Sequence, residues 1–136
     1  MSRKQIQKIL VPLDGSSNSQ RSLATALHLA TEHEASISAV YVIHKLQKGV
    51  GRKKMGEADP SFIVEAKKLA EKNGIPFHSR ILEGDPGHAI VEYSNTRDID
   101  LIVIGARGLG TFKKIFLGSV SSYVLHKSKV AVMLVR

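Results

Sequence analysis

The chain has 136 residues, 43% hydrophobic and 24% charged, with no cysteine; one ordinary domain is expected, and disulfides, thiolate nucleophiles and cysteine-ligated metals are excluded. Twenty lysines and arginines against twelve aspartates and glutamates leave a net charge of +8, a balance that favours anionic partners. Aromatic residues make up 5%, with no tryptophan, which argues against a base-stacking nucleic-acid platform, and no apolar run approaches the ~20 residues that span a bilayer.

The apolar stretch Ile9–Leu13 is too short for a signal-peptide core, so a soluble cytoplasmic protein is expected. Lys8–Leu13 reads as a strand buried on both faces. A polar loop from Asp14 to Ser19 follows, rich in turn and capping residues. Leu23, Leu27 and Ala30, with Ala24 and Ala26 beside them, then mark a helical stripe, and Ala35–Ile43 returns to strand character. Residues 44–60 have no clean period and hold three glycines and five lysines or arginines, the pattern of a mobile loop within the domain.

Asp59-Pro60 predicts a helix capped by Asp59 with proline at its first position. Phe62, Ile63, Ala66, Leu69 and Ala70 recur at helical spacing, Gly74 ends that helix, and Pro76 prevents its resumption. Phe77–Leu82 alternates as a strand. Asp85-Pro86 opens a third helix by the same device, with Ala89, Ile90 and Tyr93 on its inner side. Leu101–Ile104 is a buried strand stopped by Gly105, residues 119–127 suggest a fourth helix, and Val130–Val135 is the last strand. Alternating strands and helices imply a parallel sheet with helices on both faces.

In open sheets of this kind, ligands bind beyond the carboxyl ends of the strands, where the strand order reverses. The first strand ends at Asp14-Gly15-Ser16. The fourth ends in a segment with four glycines between Gly105 and Gly118, followed by Ser119, Val120 and Ser121 at a helix start. Glycines let backbone N–H groups approach a phosphate, and a helix N-terminus adds unpaired donors and a favourable dipole. Arg107, Lys113 and Lys114 add positive charge. Neither a Walker A loop, for which the lysine is missing, nor a dinucleotide fingerprint fits this spacing.

Gly105-x2-Gly108-x9-Gly118-Ser119 resembles the nucleotide-binding signature of the universal stress protein family, in its ATP-binding branch. Ile9–Ser16 resembles that family's first strand and loop, and Asp100–Gly105 its fourth strand. The resemblance covers the whole chain. It implies a Rossmann-like α/β fold, similar to the adenine nucleotide alpha hydrolases: one open five-stranded parallel sheet ordered 3-2-1-4-5. It implies a regulatory or sensor protein binding ATP, with AMP or ADP as variants and magnesium as a companion. By the same resemblance Pro12 lies at the nucleotide and Asp14 bonds the ribose. Val42 meets adenine through its backbone, and Gly105 sits by the ribose. Arg107, Gly108, Gly118, Ser119, Val120 and Ser121 hold the phosphates. The family also implies a homodimer through the last strand. Two departures stand out: Ala106 replaces a frequent small hydroxyl residue, and Lys129–Val132 lacks the usual proline.

Other chemistry is poorly represented. The six histidines form no metal-ligand pair at i, i+3 or i, i+4. Ser119 and His126 are seven residues apart, too far for a dyad within one helix. A receiver-like phosphoacceptor pocket needs several carboxylates, and the first strand ends with one. A slow ATPase or phosphotransferase on the same site, and a nucleotide-free interaction module, are the alternative functions.

Overall fold

The structure is a computed structural model that describes residues 5–43, 59–106 and 118–136. The elements run β1 (Lys8–Pro12), α1 (Ser17–His33), β2 (Ser36–Ile43), α2 (Ser61–Lys72), β3 (Phe77–Glu83), α3 (Pro86–Thr96), β4 (Leu101–Gly105), α4 (Ser119–Lys127) and β5 (Ala131–Val135). All strand pairs are parallel, in the order β3-β2-β1-β4-β5. The order follows from the first two crossovers carrying the chain to one side of β1 and the third returning it to the other. The reversal falls between β1 and β4, which pair directly through Ile9↔Leu101 and Leu10↔Ile102.

The central strands are apolar because they have no solvent face. Ile9, Leu10, Val11, Ile102 and Val103 are each 0% exposed, and full burial of such a side chain contributes about 1.5–3 kcal/mol. Alternation sends Ile9, Val11 and Val103 toward α1 and α2, where they meet Leu23, Ala26, Ala30, Ile63, Ala66 and Ala70. Leu10, Val40, Ile102 and Ile104 face the other way, toward Ile90 and Val91 of α3 and Val124 of α4. Helices therefore cover both faces, as the alternation of elements implies.

Asp85 does cap α3: its carboxylate accepts the His88 N–H at 3.0 Å, with proline in the first turn. Asp59 does not cap α2, contrary to expectation. Pro60 keeps an extended ψ of 150°, and its carbonyl accepts the Ile63 and Val64 amides. The helix thus begins one residue later, and the Asp59 carboxylate is out of register with the amides a cap must reach. Two expected stripe positions also turn outward: Leu69 is 46% exposed, and Ala24 is exposed. In these two helices the buried stripe is narrower: Ser19, Ser22, Leu23, Ala26 and Ala30 in α1, and Ile63, Ala66 and Ala70 in α2. Gly74 ends α2 as expected, with φ of +71°, a left-handed conformation that favours glycine. The residues 44–58 of the basic loop lie outside the described residues.

Candidate functional site

At the carboxyl end of the sheet, over the β1–β4 reversal, a crevice of about 400 Å³ opens. Its first wall is the turn after β1. Asp14 Oδ1 accepts the Ser16 N–H at 2.9 Å, which closes the turn. Ser16 in turn caps α1, its Oγ accepting the Ser19 N–H at 3.2 Å, and the Ser19 hydroxyl donates to the Ser16 carbonyl at 2.9 Å. Gly15 makes the bend with φ of +85°.

Burial pushes the Asp14 carboxyl up, but the hydrogen bonds it accepts from Ser16 and Ser19 outweigh that and hold it below the ordinary aspartate value. A carboxyl lowered by folding stabilises the native state above its unfolded pKa, and that contribution is lost as pH falls through the native one. Asp14→Ala should therefore be less stable than the parent at pH 7, and the gap should narrow below about pH 4. Urea unfolding of both proteins at pH 7 and pH 3 measures it; a gap that widens in acid contradicts the assignment.

The second wall is the end of β4. Gly105 is the last residue of that strand, and the Ala106 N–H donates to the Val135 carbonyl at 2.7 Å, closing the β4–β5 ladder. Gly105 faces the first turn of α1 so closely that an added Cβ would lie 2.7 Å from the Asn18 carbonyl oxygen. Arg21 steadies that turn, its Nη2 donating to Asn18 Oδ1 and its Nε to the Arg136 carbonyl at 3.0 Å.

The third wall is the start of α4. Gly118 stands at the N-cap, and no side chain bonds the first-turn amides there. The Ser121 hydroxyl is turned back to the Gly118 carbonyl at 3.3 Å. The amides of Ser119, Val120 and Ser121 begin the helix, have no partner within it, and meet no capping side chain among the described residues. Such a terminus carries partial positive charge and suits an anion.

Of the residues expected at the site, the structure brings Pro12, Asp14, Val42, Gly105, Gly118, Val120 and Ser121 to one crevice. Ser119 is exposed and its side chain is not on the wall. Arg107 and Gly108 lie outside the described residues. The crevice also takes in Asn18 and Ser19 from α1, and Pro86 and Ile90 from α3, which the sequence reading missed. A signal for them existed: in a parallel α/β sheet each helix that follows a strand starts at the carboxyl edge, so the Asp85-Pro86 cap marks a wall of the crevice. Val40, Val42, Ile90 and Ile104 make one part of the lining apolar, while Asp14 is the one carboxylate among the described wall residues.

The family model described as the universal stress protein family matches residues 5–136. Universal stress protein MJ0531 of Methanocaldococcus jannaschii is 32% identical over 140 residues, covering 96% of this chain and 82% of that protein. A universal stress protein of Thermus aquaticus is 32% identical over 133 residues, covering 94% and 97%. Among solved structures, a universal stress protein in complex with cAMP superposes with a TM-score of 0.79 at 27% identity, covering 96% of this chain and 97% of that one.

Proposed function

The chain belongs to the universal stress protein family, and we propose that its crevice binds ATP or a related adenine nucleotide, the protein acting as a nucleotide-dependent regulator. The observation that carries this reading is the pairing, in one crevice, of an apolar recess with a helix start that no described side chain caps. The recess formed by Val40, Val42 and Ile104 suits the flat, weakly polar base. Asp14 is oriented by Ser16 to accept from ribose hydroxyls. The amides at the start of α4 suit phosphate oxygens, and Arg107 and Gly108 complete the phosphate contacts. The solved relative in complex with cAMP supports an adenine nucleotide.

On this reading the nucleotide is held rather than consumed. Phosphoryl transfer requires an oriented nucleophile and metal-assisted charge stabilisation. Asp14 is the only carboxylate on the described wall, and its carboxylate is already engaged with Ser16. A magnesium ion would take its ligands from the phosphates and water. Denaturing the purified protein and identifying the released nucleotide tests the reading: ATP, ADP or AMP is expected. Radiolabelled ATP incubated with excess protein and magnesium should stay largely intact over minutes. Hydrolysis on the order of 1 per second would make the protein an enzyme.

The same reading includes a homodimer through β5. That strand is a sheet edge whose outer backbone groups have no neighbour among the described strands, and Met133 on it is 37% exposed. Val132→Lys should raise the dimer dissociation constant at least tenfold in sedimentation equilibrium; a parent protein that stays monomeric at every concentration refutes the dimer. Among the described residues no helix is long and apolar enough to cross a membrane.

A further inference from the structure

The opposite end of the sheet carries a second hollow, of about 640 Å³, that has no part in the nucleotide reading. Strand register explains its floor. Lys8 of β1 stands beside Ser36 of β2, Ser38 of β2 beside His78 of β3, and Val40 beside Arg80. Alternation puts Lys8, Ser36, Ser38, His78 and Arg80 on the sheet face that also carries Leu10 and Val40. Farther along the strands that face is apolar and packed against α3. Here all five positions are polar and none is buried.

The wall is the last turn of α3 and the residues after it. The Arg97 guanidinium lies over the Tyr93 ring, 5.1 Å from its centre. A cation–π contact positions this charge at the rim without neutralising it. On this face Lys8, Arg80 and Arg97 line the hollow against Asp98, with His78 in addition, and the hollow continues around the β3 edge to Lys67 and Asp59 on the α2 side. The groove is therefore cationic, at the far end of the molecule from the phosphate-binding candidate.

We propose that this groove docks an extended acidic segment of a partner protein. The distribution of the cations selects that occupant. Lys8 and His78 stand on strands separated by β2 and are offset by two residues in register, about 12 Å apart at the usual strand spacings. Arg97 reaches the same space from the helix wall. Lys8, His78, Arg80 and Arg97 are all exposed rather than converging on one enclosed point. A single phosphate spans only a few ångströms, whereas same-side carboxylates of an extended chain recur about every 6.6 Å and can meet charges spread in this way. Floor serines add neutral hydrogen-bonding partners for a peptide backbone.

Fluorescence anisotropy with a labelled peptide of alternating glutamate and serine tests the proposal at low ionic strength. The parent protein should bind it with micromolar affinity, and binding should fall steeply as salt is raised. Arg80→Gln/Arg97→Gln should weaken binding at least tenfold, and Arg80→Gln alone by a smaller factor. Lys127→Gln/Lys129→Gln removes the same charge from residues that do not line the groove and should change affinity less than twofold. Adenine nucleotide affinity should be the same in all four proteins, so this result is independent of the crevice reading. Equal weakening by both double variants would reduce the effect to net charge and overturn the proposal. So would absence of binding to the parent, or displacement of the peptide by inorganic phosphate at equimolar concentration, which would make the groove a small-anion site.

Discussion

A Gly118→Val variant should fold like the parent and lose adenine nucleotide binding by about a hundredfold or more. The reason is space, not backbone strain. Gly118 has φ of −67° and ψ of 166°, an extended conformation that any L-residue adopts, so valine brings no left-handed penalty. The same residue is buried, lines the crevice, and stands immediately before the first three amides of α4, which no side chain caps among the described residues. A branched side chain there occupies the approach to those amides. Loss of two charge-assisted bonds, at about 1.5–3 kcal/mol each, accounts for the expected factor. Calorimetric titration with ATP reads the affinity, and thermal denaturation confirms that the variant is folded. Unchanged affinity in a folded variant would remove α4 from the phosphate site.

Gly105→Val should act on both stability and binding. Its Cβ would lie 2.7 Å from the Asn18 carbonyl oxygen and 3.0 Å from the carbonyl carbon, closer than Cβ atoms come to backbone. The obstacle is the first turn of α1, which cannot easily withdraw. Ser16 caps it, the Ser22 hydroxyl bonds the Ser19 carbonyl at 2.8 Å, and Arg21 ties Asn18 to the end of β5. Overpacking of this kind costs about 1–3 kcal/mol, and branching at Cβ places it at the upper end. Since Asn18 and Ser19 line the crevice, relieving the clash moves that wall, and nucleotide affinity should fall as well. Denaturant unfolding with nucleotide titration separates the two effects. A variant of parental stability would show that α1 and β4 are less closely locked than their geometry implies.

The two variants also divide what sequence can convey from what it cannot. The spacing of Gly105 and Gly118 is visible in the chain, and it pointed to a nucleotide site through family resemblance. The reason proposed for each glycine differs, and it rests on three-dimensional placement: α1 presses on Gly105, whereas Gly118 lines the crevice at the start of α4, where the proposed nucleotide phosphates would approach. The two Asp-Pro pairs make the same point. Both read as caps, yet only Asp85 caps, because Pro60 remains extended and delays α2 by one residue.

Local pattern alone determined the alternation of strands and helices, the burial of β1 and β4 on both faces, and the limits of α4. These follow from hydrophobic period and from the conformational limits of glycine and proline, which act over a few residues. The 3-2-1-4-5 order was anticipated by resemblance and not by pattern, since nothing in a strand's own residues names its neighbours. Tertiary structure decided that Leu69 turns outward while Ala66 and Ala70 meet the sheet, because helix crossing, not hydrophobicity, chooses which side of a stripe is covered. It also decided that Asn18, Ser19 and Pro86 share a crevice with Asp14 and Gly118, and that Lys8, Ser38, His78 and Arg80 form one polar floor. Both sets are scattered along the chain and are assembled by strand register and by the shared direction of parallel strands, properties that exist only between segments.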